Sequence, residues 1–185
     1  MNNLLETLSQ RALYHANETV LIGPNGNISA AELWQQICRC SDQLLASGCQ
    51  SYGLYADNGP AWIIVDLACQ LAEIPLTPLP TFFSQEQLQH SISSAAIEKV
   101  FCSTALTATL KNVLPNSAID STKLLPELDI IETQIHTSAE LPKQTAKITF
   151  TSGSTGTPKG VCLSSIQCIT VAESLKEVID VNLPR

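Results

Sequence analysis

Five hydroxyl side chains, three glycines and one lysine crowd into ten positions of this chain: Thr151, Ser152, Gly153, Ser154, Thr155, Gly156, Thr157, Pro158, Lys159 and Gly160. Glycine lacks the Cβ that would hold a ligand away, and its freedom at positive φ lets successive backbone N–H groups converge on one concavity. The hydroxyls add neutral donors, and the Lys159 ammonium offers a mobile positive charge for phosphate oxygens. By composition the segment is a cradle for a polyphosphate. The competing reading is a surface turn rich in Ser, Thr and Gly. Against that, strand-like residues close the run tightly, Ile148, Thr149 and Phe150 before it and Val161, Cys162 and Leu163 after it. Pro158 also stiffens the backbone beside the lysine.

The spacing does not fit the P-loop, G-x-x-x-x-G-K-[ST]. Gly153 and Gly156 are too close, Pro158 precedes the lysine, and Gly160 stands where a hydroxyl would have to reach Mg²⁺. Because Val161 to Leu163 reads as a strand, the run is expected to link two strands rather than a strand and a helix.

From Phe150 to Gly160 the sequence resembles the adenylate-forming (AMP-binding) superfamily, which includes acyl- and aryl-CoA synthetases, firefly-type luciferases and the adenylation domains of nonribosomal peptide synthetases. The family signature, aromatic-T-S-G-[ST]-T-G-x-P-K-G, is matched at every fixed position. Upstream, Val20, Leu21 and Ile22 followed by Ile28, Ser29, Ala30, Ala31, Glu32 and Leu33 look like an early strand and helix start of that family, without the usual aromatic. Leu54 to Trp62 is similar to its strand, turn and helix, and Glu73 occupies a place before Pro75 and Leu76 where the family usually has glycine. This upstream pattern resembles the fatty-acid–CoA ligase branch.

The resemblance implies a two-step reaction in which a carboxylate attacks the α-phosphate of ATP, giving an acyl-adenylate and pyrophosphate, and the thiol of CoA or a carrier pantetheine takes the acyl group. It implies that Thr151, Ser152, Gly153, Ser154, Thr155, Gly156 and Lys159 bind the ATP phosphates, with Thr151 also approaching Mg²⁺. The family's aromatic-G-x-T-E segment, its ribose-binding aspartate and its small C-terminal domain with a catalytic lysine have no counterpart here, and Lys176, on a predicted helix, is not that lysine. Residues 1–185 are therefore expected to be the N-terminal part of a large AMP-binding domain, without a catalytic residue and inactive alone. The alternative is a non-catalytic nucleotide- or phosphate-binding module, or an interaction module. Which acid is activated is left open.

Composition bounds the partners. A formal net charge of −7, with no basic stripe, argues against nucleic acid, so binding of ATP relies on local donors, Lys159 above all. The 185 residues suffice for one domain with its own core. Only 15% of residues are charged, against about 25% in ordinary domains. That deficit suggests an apolar face covered by further chain or by a second copy. Seven cysteines at irregular spacing form neither a disulfide framework nor a metal-binding pair, and His15, His90 and His136 share no ligand spacing. The N-terminus lacks the basic and apolar regions of a secretory signal. The most apolar helix, residues 61–72, is too short to cross a membrane, so a cytoplasmic protein without a transmembrane segment is expected.

The elements that must position the cradle alternate. Helical periodicity covers residues 4–15, and residues 20–22 form a strand ending at the turn Gly23, Pro24, Asn25 and Gly26. Ser29 and Glu32 make a capping box for a helix ending before Gly48, with Leu33, Ile37, Leu44 and Leu45 on its buried stripe. A strand over 52–56 leads into the helix 61–72. Pro75, Pro78 and Pro80 impose an extended connection. Ser84 and Gln87 cap another helix, residues 99–102 form a strand, and residues 106–113 a weak helix. Residues 115–144 read as a loop-rich connection with one short strand near Leu128. Strands at 147–151 and 161–164 flank the cradle, and Ser165 opens a last helix. The alternation predicts an α/β fold with a largely parallel sheet flanked by helices.

Overall fold

The computed structural model describes residues 3–137, 139–151 and 157–178. The first helix, α1 (Asn3–Tyr14), leads into a hairpin of β1 (Thr19–Gly23) and β2 (Gly26–Ser29). Helix α2 (Ala30–Ala46) starts where Ser29 caps it, the Ser29 hydroxyl accepting from the Glu32 amide while the Glu32 carboxylate accepts from the Ser29 amide. The Ser29 amide and the Ser29 hydroxyl both donate to the Glu32 carboxylate and hold it below its ordinary range. Gly48, at φ +69°, turns the chain out of the helix.

The main sheet grows from β3 (Tyr52–Tyr55), α3 (Pro60–Ala72), β4 (Leu76–Pro78), α4 (Gln85–Ser94) and β5 (Lys99–Ser103). A short 3₁₀ turn, Thr104–Leu106, and α5 (Thr107–Val113) lead to β6 (Ala118–Asp120) and β7 (Leu128–Glu132); β8 (Thr145–Thr151), β9 (Lys159–Ser164) and α6 (Ser165–Val178) complete the described chain. The seven strands lie in the order β6-β7-β5-β3-β4-β8-β9. The four central strands β5, β3, β4 and β8 run parallel, while β7 and β9 pair antiparallel at the two flanks.

Strand β3 is buried along its whole length and divides the core. Tyr52 and Leu54 face Leu33, Ile37, Leu44, Ile64 and Val65, from α2 and α3. Tyr55, on the other side, joins Leu88, Ile92, Leu110 and Phe150, where α4 and α5 cover the sheet. The topology explains the division. The chain passes from β3 through α3 to its neighbour β4, then steps back through α4 to β5 on the far side of β3. Crossovers of one hand that step in opposite directions place their helices on opposite faces. Adjacent strands β3 and β4 thus send the chain to opposite faces, the arrangement that opens a ligand crevice beyond the carboxyl ends of parallel strands.

Three sequence readings are corrected. Leu45 is 57% exposed, because the helix stripe that meets the sheet is formed by Leu33, Ile37, Cys40 and Leu44. The turn at Gly23 to Gly26 closes a hairpin whose second strand, β2, has little apolar periodicity to announce it. The connection over 115–144 holds two strands rather than one: β6 spans only three residues, mostly exposed, and its place is set by pairing with β7.

Candidate phosphate-binding site

The cradle is built on a β hairpin. Strands β8 and β9 pair antiparallel with Thr151 opposite Lys159, Phe150 opposite Gly160, Thr149 opposite Val161 and Ile148 opposite Cys162. Since β8 runs parallel to β4, its carboxyl end, at Thr151, stands at the crevice end of the sheet. Asp57, just after β3, accepts a hydrogen bond from the Thr81 hydroxyl beyond β4 at 3.2 Å and ties the two lips of that crevice.

Alternation along β8 sorts its side chains. Ile148 and Phe150 are buried in the cluster with α4. Lys147 turns the other way, its ammonium 2.8 Å from Asp66 Oδ1 and 5.4 Å from the centre of the Trp62 ring, both on α3. By the same alternation Thr149 and Thr151 share the α3 side of the sheet, and Lys159, paired with Thr151, joins them. Both Thr151 and Lys159 are exposed. Between the described residues the hairpin therefore presents a hydroxyl and an ammonium side by side.

The opposite face is clamped. Gly160 lies over the Phe150 ring so closely that a Cβ there would sit 3.2 Å from Phe150 Cζ and 3.3 Å from Ile148 Cγ2. His90 of α4 meets the Phe150 ring edge to face, with centroids 6.4 Å apart, and its Nε2 lies 3.0 Å from the Pro158 carbonyl oxygen. This histidine belonged to no sequence motif; its partner is 68 residues away. Of the phosphate-binding residues predicted from sequence, the structure brings Thr151 and Lys159 together. Ser152, Gly153, Ser154, Thr155 and Gly156 lie outside the described residues.

Residues 8–183 match the AMP-binding enzyme family. The chain belongs to that family. This AMP-binding chain is 30% identical over 142 residues to long-chain-fatty-acid–CoA ligase 5 of Rattus norvegicus, an alignment covering 62% of this chain and 21% of the relative. It is 31% identical over 139 residues to the peroxisomal long chain acyl-CoA synthetase 7 of Arabidopsis thaliana, covering 60% and 19%. The AMP-binding chain thus spans about a fifth of the length of these curated relatives. Its fold is that of the N-terminal domain of FACL13 from Mycobacterium tuberculosis, with a TM-score of 0.75 at 19% identity over 98% of this chain and 49% of the other. The o-succinylbenzoate CoA synthetase MenE of Bacillus subtilis, solved in complex with AMP, superposes with a TM-score of 0.64 at 20% identity over 94% and 46%.

Other chemistry-bearing groups of the AMP-binding chain stand apart from the hairpin. Cys40, Cys49, Cys69 and Cys102 are buried, and burial pushes the Cys40 and Cys102 thiols up to about 12, which keeps them from acting as thiolates. Among the described residues no group of three or more His, Cys, Asp or Glu is placed to hold a metal, and no helix is long and apolar enough to cross a membrane. A cleft of about 740 Å³ lies at the other end of the sheet, between Leu5, Cys69 and Ile74 on one side and Leu141, Thr145 and Ile166 on the other. Thr145 opens β8 at the end remote from Thr151, so this cleft is not the cradle.

Proposed function

We propose that residues 1–185 are the N-terminal part of the large domain of an ATP-dependent acid–thiol ligase, and that the β8–β9 hairpin holds the ATP phosphates. The observation that carries this reading is the pairing of Thr151 with Lys159 at the carboxyl end of β8, beside the crevice between β3 and β4. Hydroxyl and ammonium donors with no ion pair to a carboxylate among the described residues suit an anion. Lys159 supplies charge to phosphate oxygens, and Thr151 would offer one neutral oxygen to a Mg²⁺ that, when bound, would help neutralise the phosphates. Ser152, Gly153, Ser154, Thr155 and Gly156 complete the cradle through hydroxyls and backbone N–H groups.

In the reaction the substrate carboxylate attacks the α-phosphorus, the bond to the bridging oxygen breaks, and pyrophosphate leaves. Charge then builds on the leaving group, where fixed donors do most for the rate. The chain's contribution is to hold that group in line. In this reading residues 1–185 take the phosphates alone, not adenine, ribose, the acyl group or the transfer to CoA or a carrier thiol. The names of the curated relatives favour a long-chain fatty acid as the substrate.

The test is fatty-acid-dependent exchange of pyrophosphate into ATP. Any longer product of the same gene is expected to catalyse it and to lose most of it on Lys159→Ala, while the 185-residue chain is expected to show none. Exchange by the short chain would refute its assignment as an incomplete catalyst. A longer protein that binds Mg-ATP but performs no exchange with any acid would instead favour a non-catalytic nucleotide-binding module.

A further inference from the structure

Lys159 is bracketed by two attachments that both lead to α4. The residue before it, Pro158, presents its carbonyl oxygen to His90 Nε2 at 3.0 Å. The residue after it, Gly160, rests on the Phe150 ring, against which the imidazole packs edge to face. A carbonyl oxygen only accepts, so the hydrogen of this bond sits on Nε2. His90 is half-buried on α4, one turn before Ser94, whose hydroxyl lies 3.4 Å from the same nitrogen. The bond spans 68 residues of sequence and is made to the backbone of the turn itself.

We propose that His90 is a positioning residue for the phosphate-binding turn. By donating from Nε2 to Pro158 O it sets the plane of the Pro158–Lys159 peptide, and so the direction in which Lys159 leaves the turn. The Lys159 side chain lies on the other face of the hairpin, so His90 acts through the backbone and touches no phosphate. Proline has no N–H, so the Thr157–Pro158 peptide offers no donor to fix the turn from that side; among the described residues the imidazole is the one recorded partner of the Pro158 carbonyl. The role as an aid to nucleotide binding rests on the function proposed above; the anchoring of the turn does not.

Three variants separate the donor from the ring. His90→Phe keeps an aromatic against Phe150 and loses the donor, His90→Gln keeps an N–H donor and loses the ring, and His90→Ala loses both. Two readouts on the 185-residue chain are independent of each other: amide hydrogen exchange at Thr157, Lys159, Gly160 and Val161, with Val100 and Phe101 in β5 as the core reference, and Mg-ATP affinity by calorimetry. Loss of one neutral hydrogen bond corresponds to about a fivefold to tenfold change. His90→Phe and His90→Ala are expected to speed exchange at the turn by that factor with the β5 reference unchanged, and to weaken Mg-ATP to a similar degree, while His90→Gln restores both. Exchange in His90→Phe equal to wild type would overturn the proposal, leaving the ring as packing only. Faster exchange with unchanged Mg-ATP affinity would overturn the part that concerns binding. If wild type binds no Mg-ATP yet exchange follows the donor, His90 anchors the turn and the part of the proposal that concerns nucleotide binding by this chain is overturned.

Discussion

Lys159 and Gly160 are neighbours with opposite duties, and substitution separates them. Lys159→Ala removes an exposed ammonium with no ion pair to another described residue, so thermal stability should be unchanged. Mg-ATP affinity should fall at least about tenfold, the scale of a lost hydrogen bond to a charged group. Gly160→Ala should do the reverse at first: its Cβ meets the Phe150 ring at 3.2 Å, and overpacking of this kind costs about 1–3 kcal/mol, read as a lower urea midpoint. Lys147 makes a third case. Its ammonium answers the buried Asp66 Oδ1 by charge rather than by an aligned hydrogen bond, and the two side chains are only 19% and 13% exposed. Lys147→Ala strands that carboxylate, and about 2 kcal/mol of stability should be lost in the same urea titration. The hairpin that brings Thr151 opposite Lys159 was legible because strand-like residues close the run on both sides. His90, Trp62 and Asp66 were not, since each meets the hairpin across a long stretch of chain and nothing local marks it.

At the scale of elements, helix ends were the most readable feature. Ser29 with Glu32 and Ser84 with Gln87 form the two capping boxes expected of them, because a cap is satisfied within four residues and needs no tertiary partner. Ser29→Ala should cost about 1 kcal/mol, measured by thermal unfolding. Short strands were the least readable. Strand β6 owes its existence to β7, and the exposed Leu45 shows that a helix's apolar residues exceed what one sheet face can cover. Glu73 explains one departure from the family pattern. It ends α3 in the left-handed region at φ 56°, where a side chain is strained and glycine is not. Glu73→Gly should therefore raise stability by about 1 kcal/mol, the strain relieved exceeding the extra freedom given to the unfolded chain.

For the whole molecule, one charge group fastens the outer strand. Lys99 on β5 reaches Asp120 on β6 at 2.8 Å and Glu132 on β7 at 3.0 Å. The hydrogen bond from Lys99 pulls the Asp120 carboxyl down to about 2, against about 3.9 in an unfolded chain. A depressed carboxyl contributes stability that is present above the unfolded value and lost as pH falls through the folded one. Between about pH 4 and pH 2 wild type should lose stability that Asp120→Asn never had, so the gap between their urea midpoints should close across that window. The α/β class and its parallel middle were legible from the alternation of strands and helices. The antiparallel β5–β7 flank was not, because its pairing direction is decided by partners distant in sequence.

The order of strands also has a consequence for how the chain reaches this state. Strand β4 is made early, yet its outer neighbour β8 arrives about seventy residues later, through the pairing of Leu76 with Lys147. Until then β4 offers an unpaired backbone edge, the kind that templates association between chains. During synthesis, the edge that recruits the β8–β9 hairpin is also the one through which a stalled or shortened chain would aggregate, so expression truncated before Thr145 should yield insoluble material where the 185-residue chain does not.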